Sequence, residues 1–219
     1  MMAEASEHLG SMPSVALGVE IPPEPPEVGA RQLYLAARLL AGASSFFFLA
    51  FVFAYFYLRS LNVDQMWRPK GVGPEQGYGV AILICTLASG ALAVLAVRML
   101  AREQRSWLGA ASGALGLGLA VVVLQCVEWA TQDFGPASGA YASVYCGWTC
   151  FYVLAVIGTL YWLETHVATE LRARRRPAAT GGDIFEPDRL IKPGLDAAVF
   201  YWEYLVGLGV LTYIVLYIV

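Results

Sequence analysis

The sequence predicts an all-α integral membrane protein with five transmembrane helices. The first observation behind this is composition: 58% of the residues are hydrophobic and only 14% are charged, against about 25% charged residues in soluble domains. The second is the presence of five apolar stretches, each with the roughly 20 residues that a helix needs to cross the hydrocarbon core. The third is that the alternating pattern of a membrane β-barrel is absent.

The N-terminal part predicts a tail followed by two spans. Residues 1–32 are rich in Pro, Glu and Ser and show no secretory signal, so we predict a disordered or partner-wrapping tail. The first two helices are predicted over residues 35–58 and 76–98. The first contains LLAGASSFFFLAFVFAYFYL, a stretch without a charge. A transmembrane domain is therefore predicted over residues 33–219.

Three further helices are predicted over residues 106–130, 139–165 and 196–219. The connection between the third and fourth is short, which favours antiparallel neighbours. The connection over residues 166–192 contains RARRRPAATGGD and is predicted to be a flexible, basic, cytoplasmic loop.

The distribution of basic residues predicts the orientation. Because cytoplasmic segments carry an excess of Lys and Arg, the N terminus is predicted in the cytoplasm and the C terminus outside. The loop cluster of Arg172, Arg174, Arg175 and Arg176 is interpreted as a topology signal and a contact for anionic lipids, with a specific partner contact as the alternative. The basic residues predicted on the outer side are Arg59, Arg68 and Lys70. Those predicted on the cytoplasmic side are more numerous: Arg31, Arg38, Arg98, Arg102, Arg105, Arg172, Arg174, Arg175, Arg176, Arg189 and Lys192.

Polar side chains at the outer ends of the third and fourth helices are the first site candidates. Glu128 follows Gln125 by three residues and precedes Trp129. Across the short turn, hydroxyl groups begin the fourth helix and are candidates to hydrogen-bond the amide and the carboxylate. These hydroxyls belong to Tyr141, Ser143 and Tyr145.

Glu203 is the second candidate, about 10 Å into the last predicted helix at 1.5 Å per residue. Carboxylates inside a membrane are costly and face protein or a wet cavity. For both Glu128 and Glu203 we consider two roles, proton handling and structural hydrogen bonding or ion pairing, and we favour the structural one.

No cofactor, metal site or catalytic group is predicted in this chain. Its two histidines, His8 and His166, lie outside the predicted spans, whereas haem and copper centres in membrane oxidases need several intramembrane imidazoles. The four cysteines are interpreted as packing residues. The net charge of −3 argues against nucleic acid as a partner.

The run Gln125-Cys-Val-Glu128-Trp129, followed by Gly139-Ala-Tyr141-Ala-Ser143, resembles subunit III of haem–copper (cytochrome c type) oxidases. The family pattern is Q-x-x-E-[WY] and then G-x-Y-x-S. The resemblance extends from about Leu33 to Val219 and is closest to the short, five-helix bacterial form. Further matching stretches lie at residues 44–59, 149–156 and 198–202.

Several positions depart from that family. Ser45 stands where the family has a buried acid, and Tyr152 and Ala155 stand where it has histidines. In the last helix, Glu203 and Val206 replace a His and an Asp. Roles that depend on those groups are not carried over, and we hypothesise that Glu203 partly replaces the lost polar cluster.

The resemblance implies a non-catalytic core subunit of a respiratory terminal oxidase in the bacterial plasma membrane. Oxygen reduction would take place in subunit I, which carries the haems and copper, and subunit II would be a further partner. The family's two-helix and three-helix bundles would enclose a V-shaped cleft that holds phospholipid. The subunit would stabilise subunit I and support proton uptake.

Two alternatives remain. The chain could be an accessory subunit-III-like protein of a quinol oxidase or nitric oxide reductase. From a different class, it could be a small proton-coupled carrier that uses Glu128 and Glu203. Carriers, however, usually show internal repeats and helices broken at mid-membrane, and five helices do not divide into two equal repeats.

Overall fold

The predicted helices are present in the computed structural model of the chain, which describes residues 26–62, 66–175 and 188–219. Over these ranges the chain is helical, without a strand. All five long helices are long and apolar enough to cross a membrane, which confirms the predicted all-α membrane fold. They are α1 (Pro26–Ser60), α2 (Gln76–Ala101), α3 (Trp107–Thr131), α4 (Ala140–Arg175) and α5 (Asp188–Tyr213), with a 3-10 turn at Pro136–Ser138 and a π-helical turn at Ile214–Ile218.

The helices are longer than the apolar stretches that predicted them. Because α1 begins at Pro26, residues 26–32 of the predicted tail are helical. α4 continues to Arg175 and α5 begins at Asp188, so both ends of the predicted loop are helical as well. Hydropathy detects only the part of a helix that lies in lipid, while Ala, Glu, Leu and Arg continue a helix beyond it. Residues 1–25 and 176–187, including Arg176, lie outside the described residues.

α5 occupies the centre of the helix arrangement and packs against α1, α2 and α4. α3 packs against α2 and α4, so α3 and α4 are neighbours as predicted. The predicted division, with the first two helices in one bundle and the last three in another, is wrong. α1 lies against α5 and α4, and α2 lies against α3 and α5.

The connection between α1 and α2 explains this packing. It passes over the start of α4, where the backbone N–H of Tyr141 donates to the carbonyl oxygen of Trp67 at 3.0 Å. Gly139 has φ +145°, and a Cβ there would lie 3.0 Å from Pro69 Cδ. Because this connection is bonded to the start of α4, α1 and α2 lie on different sides of α5 and do not form a pair.

Buried polar contacts and small residues hold the neighbouring helices together. The Ser89 hydroxyl of α2 donates to the carbonyl oxygen of Ala114 in α3 at 2.7 Å, beside the buried Ala93 and Ala111. Small side chains at such a seam let two helix backbones approach closely, which strengthens van der Waals packing in lipid.

Candidate functional site

Four buried side chains form a polar cluster at the end of the molecule where α3 turns into α4. It consists of Gln125, Glu128, Tyr145 and Tyr217, and we call it the 128 cluster. The Tyr217 hydroxyl lies 2.9 Å and 2.8 Å from the two oxygens of Glu128. Gln125 Nε2 donates to Glu128 Oε2 at 2.8 Å. Glu128 is 1% exposed, so these neighbours replace its hydration.

Three separate elements bring these groups together. Gln125 and Glu128 are three residues apart on α3, which places them on one face of the helix. Tyr145 comes from α4, and its oxygen lies 3.4 Å from Gln125 Nε2 and 3.3 Å from the Tyr217 oxygen. Tyr217 comes from the π-helical turn after α5. The 128 cluster therefore joins α3 and α4 to the C-terminal turn.

α2 supports the Tyr217 ring from behind. A Cβ built on Gly79 would lie 2.5 Å from two ring carbons of Tyr217, so only a glycine leaves room for the ring in this position. The side-chain amide of Gln76 donates to the Tyr217 carbonyl oxygen. Together these contacts fix the ring, and with it the hydroxyl that reaches Glu128.

Of the three hydroxyl groups predicted to hydrogen-bond Gln125 and Glu128, one belongs to the 128 cluster and two bond elsewhere. Tyr145 belongs to the cluster as expected. The prediction is wrong for Tyr141, whose hydroxyl donates to the Leu216 carbonyl oxygen at 2.6 Å. It is also wrong for Ser143, which donates to the carbonyl oxygens of the turn before α4. Side chains two residues apart on a helix point in different directions, so the three hydroxyls could not all face α3.

Trp129 lies beside the 128 cluster and makes a separate bond between helices. Its indole N–H donates to the Thr149 hydroxyl of α4 at 3.1 Å. Thr149 is fully buried and in turn donates to the Tyr145 carbonyl oxygen at 2.8 Å. Trp129 is thus a further tie between α3 and α4.

Sequence reasoning missed Tyr217, the main donor to Glu128. The available signal was the pair Tyr213 and Tyr217, four residues apart near the end of an apolar helix. In the structure the two rings stack at 5.6 Å. Nothing local identifies Tyr217 as a partner of Glu128, because 89 residues separate the two along the chain.

Glu203 differs from Glu128 in its surroundings. It lies on α5 against α2, where its Oε1 would be 2.8 Å from a Cβ on Gly90. This oxygen is buried and has no hydrogen-bond partner among the described residues. Glu203 does not bond Ser45, whose hydroxyl lies 3.0 Å from the Tyr204 oxygen and donates to the Ala41 carbonyl at 2.8 Å. The polar contact at Ser45 is therefore made by Tyr204.

The basic candidates lie at the far end of α4. Arg172 is exposed, and α4 continues through Arg174 to its end at Arg175. The backbone at these arginines is therefore helical, where the sequence predicts a loop.

The chemistry open to the 128 cluster follows from its burial and its bonds. A carboxyl group with a phenol and an amide as donors is held in one orientation and is shielded from bulk water. The burial of Glu128 and its bonds to Tyr217 in the C-terminal turn therefore favour a group that fastens helices together. Across the described ranges, no three His, Cys, Asp or Glu side chains are grouped so that they could hold a metal ion.

Comparison with known proteins relates this sequence to one kind of subunit. This chain is similar to cytochrome c oxidase subunit 3. It is 27% identical to that protein of Ornithorhynchus anatinus over 179 residues, covering 78% of this chain and 64% of the relative. It is 26% identical to that of Struthio camelus over 185 residues, covering 82% and 66%. No family model matches the chain.

The chain spans slightly less than two thirds of the length of these relatives. The similarity nevertheless covers about four fifths of the chain itself. It supports the resemblance to subunit III that the residues around Glu128 and Tyr141 indicated, while the bacterial, five-helix form stays a prediction.

Proposed function

We propose that this chain is a non-catalytic subunit III of a respiratory haem–copper terminal oxidase. The observation that carries the proposal is the similarity to cytochrome c oxidase subunit 3 across 78% and 82% of the chain. In this proposal a partner, subunit I, holds the haem and copper and reduces oxygen, and subunit II completes the core. The role of this chain in aerobic electron transport is to stabilise subunit I.

The geometry of the 128 cluster supports a stabilising role. Glu128 is almost completely buried and receives hydrogen bonds from α3 and from the C-terminal turn. A carboxyl group exchanging protons with solvent needs a wet path, whereas a fastening group needs satisfied bonds. The carrier alternative assigned transport to Glu128, and the enclosed position of this residue favours the structural role.

The surface of α1 supports association with other subunits and with phospholipid. Only 17% of its most apolar segment is buried within the chain. Large side chains such as Phe46 and Phe53, 81% and 69% exposed, project away from the other helices. In this proposal, partner subunits and phospholipid cover these groups, and this packing protects proton uptake in subunit I during turnover.

The proposed location is the bacterial plasma membrane, with the N terminus in the cytoplasm. Arg98, Arg102 and Arg105 support this orientation, since they lie at the α2–α3 connection and an excess of Arg in short connections identifies the cytoplasmic side. Arg172 at the far end of α4 lies on the same side, because α3 and α4 run in opposite directions between these points.

Purification of a tagged chain from its native membranes in mild detergent tests the proposal. We expect a reduced-minus-oxidised haem spectrum and stoichiometric amounts of a multi-histidine membrane subunit. Recovery of nitric oxide reductase or quinol oxidase subunits would instead support the accessory role. Recovery of a solitary, haem-free protein would contradict the oxidase proposal and favour the carrier.

A further inference from the structure

Glu203 lies near the middle of the membrane. The last membrane-spanning segment runs from Ile191 to Ile218. At 1.5 Å per residue, Glu203 is about 18 Å from one end of this segment and about 22 Å from the other. The depth places its carboxyl group among acyl chains, far from either headgroup layer, which begins outside a core of about 30 Å.

Glu203 is only partly buried within the described residues, so part of its side chain is open to a neighbour. Glu203 Oε1 is buried against α2, and the part of the chain that the structure describes offers it no hydrogen bond. Glu128, by contrast, has both of its oxygens bonded. A polar group without a partner is costly in the hydrocarbon core, and such groups usually face a protein partner or a wet cavity.

The neighbours of Glu203 show which surface it belongs to. Tyr204, the next residue, bonds Ser45 of α1 at 3.0 Å. On the other side, Glu203 and Val206 both contact Gly90 of α2. Glu203 therefore lies on the face of α5 that is turned to the space between α1 and α2.

Gly207 lies one helical turn further along the same face, because residues four apart on a helix are adjacent. It is exposed, and no atom lies within 4 Å of the position its Cβ would take. A notch one residue wide thus adjoins the carboxyl group. We call Glu203 and Gly207 together the 203–207 face.

Lipid does not supply what the 203–207 face lacks. Acyl chains carry no hydrogen-bond donor, and the nearer headgroup layer begins about 12 Å away along the helix axis when a core of about 30 Å is centred on the segment. A transmembrane helix, in contrast, can bring a Lys, Arg, His, Asn, Gln, Ser or Thr side chain to any depth, and small residues permit its close approach.

We propose that the 203–207 face docks a transmembrane helix of a partner subunit, whose donor side chain bonds Glu203 at mid-membrane and whose backbone lies against Gly207. The proposal rests on the proposed function, which makes this chain one subunit of a membrane complex. It identifies the part of the chain that the partner contacts.

A photo-cross-linking experiment in native membranes tests this interface. A diazirine amino acid is incorporated at position 210 in the full-length, tagged chain and, as a control, at position 154. Val210 is partly exposed one helical turn beyond Gly207 on the same face, so the label leaves the notch at Gly207 open. Leu154 is 57% exposed on α4, away from the 203–207 face. After illumination, we expect position 210 to capture a partner subunit at least several-fold more efficiently than position 154, with the linked peptide in a transmembrane segment.

Two substitutions at Glu203 complement the cross-link. Glu203→Gln keeps a carbonyl acceptor and is expected to recover the partner at close to the wild-type yield in detergent. Glu203→Leu removes the acceptor and is expected to lower the recovered partner several-fold. If Glu203→Leu fails to accumulate, the cross-linking result with Glu203 intact still decides the question.

The results separate this inference from the proposed function. If haem-bearing subunits co-purify while position 210 captures only lipid, a second copy of this chain, or no more partner than position 154, the docking proposal is overturned and the oxidase proposal stands. If position 210 captures a transmembrane helix of a complex without haem, the docking proposal holds and the oxidase proposal falls.

Discussion

The Tyr217 hydroxyl is within hydrogen-bond distance of both carboxylate oxygens of Glu128, at 2.9 Å and 2.8 Å. This contact joins α3 to the π-helical turn that follows α5, across 89 residues of chain. The backbone departs from a regular helix at the turn that supplies this donor. Such π-helical turns are rare, appear mostly as single turns and are frequently found at functional sites.

Replacing Tyr217 by Phe is expected to destabilise the protein by about 1–3 kcal/mol. The substitution keeps the ring but leaves a buried carboxyl group without its phenol donor, and an unsatisfied buried group costs about that much. The measurement is the temperature at which the detergent-solubilised chain loses its monodisperse size-exclusion peak. Tyr213→Phe is the matched control, since among the described residues the Tyr213 hydroxyl makes only an exposed contact of 3.5 Å to Gln76. Equal stability of the two variants would show that the Tyr217–Glu128 contact contributes nothing.

Gly79→Ala is expected to destabilise the chain through the same contact. Its Cβ would meet the Tyr217 ring at 2.5 Å, and overpacking of this kind costs about 1–3 kcal/mol. Gly77→Ala, where the nearest atom lies at 3.6 Å, is the control on the same helix and is expected to change stability little.

A double-mutant cycle checks that Gly79 acts through Tyr217. In Gly79→Ala the Tyr217 ring is displaced, so its hydroxyl is already away from Glu128. The double variant Gly79→Ala/Tyr217→Phe is therefore expected to lose less stability than the sum of the losses in the two single variants. Residues in contact typically show such coupling of about 0.5–3 kcal/mol. Strict additivity of the unfolding temperatures would argue against it.

Glu128→Gln is expected to be milder than Glu128→Leu. Glutamine keeps a carbonyl oxygen for the Tyr217 hydroxyl, whereas leucine leaves both Tyr217 and Gln125 without their acceptor. Each stranded buried donor costs about 1–3 kcal/mol. Expression level and heat stability in detergent measure the difference. A leucine variant as stable as the glutamine variant would contradict a fastening role for the 128 cluster.

The proposed orientation predicts the labelling pattern of introduced cysteines. Lys70→Cys, in the exposed α1–α2 connection, is expected to react with an impermeant maleimide added to intact cells. Glu103→Cys, in the α2–α3 connection, is expected to react only after the membrane is opened. The parent chain serves as the control, because its four cysteines are free. The reverse pattern would place the N terminus outside.

Part of the candidate site could be predicted from sequence because its members are close along the chain. Gln125 and Glu128 share a helix face at a spacing of three residues, and the short turn brings Tyr145 opposite them. Which hydroxyl points inward could not be predicted, because it depends on the rotation of α4 about its axis. Tyr141 and Ser143 were expected in the cluster, yet both bond backbone carbonyls elsewhere.

The sequence by itself determined that this is a membrane protein with five helical spans. The reason is physical: backbone groups in lipid must be satisfied within the segment, so a run of about 20 apolar residues has to be helical. Lipid is as apolar as leucine, however, and burial therefore gives no preference among helix neighbours. Only the tertiary structure decided that α5 is central, that Tyr217 bonds Glu128, and that Glu203 lies between α1 and α2 without a hydrogen bond to its buried oxygen from the described residues. These depend on close contacts at residues such as Gly79 and Gly90.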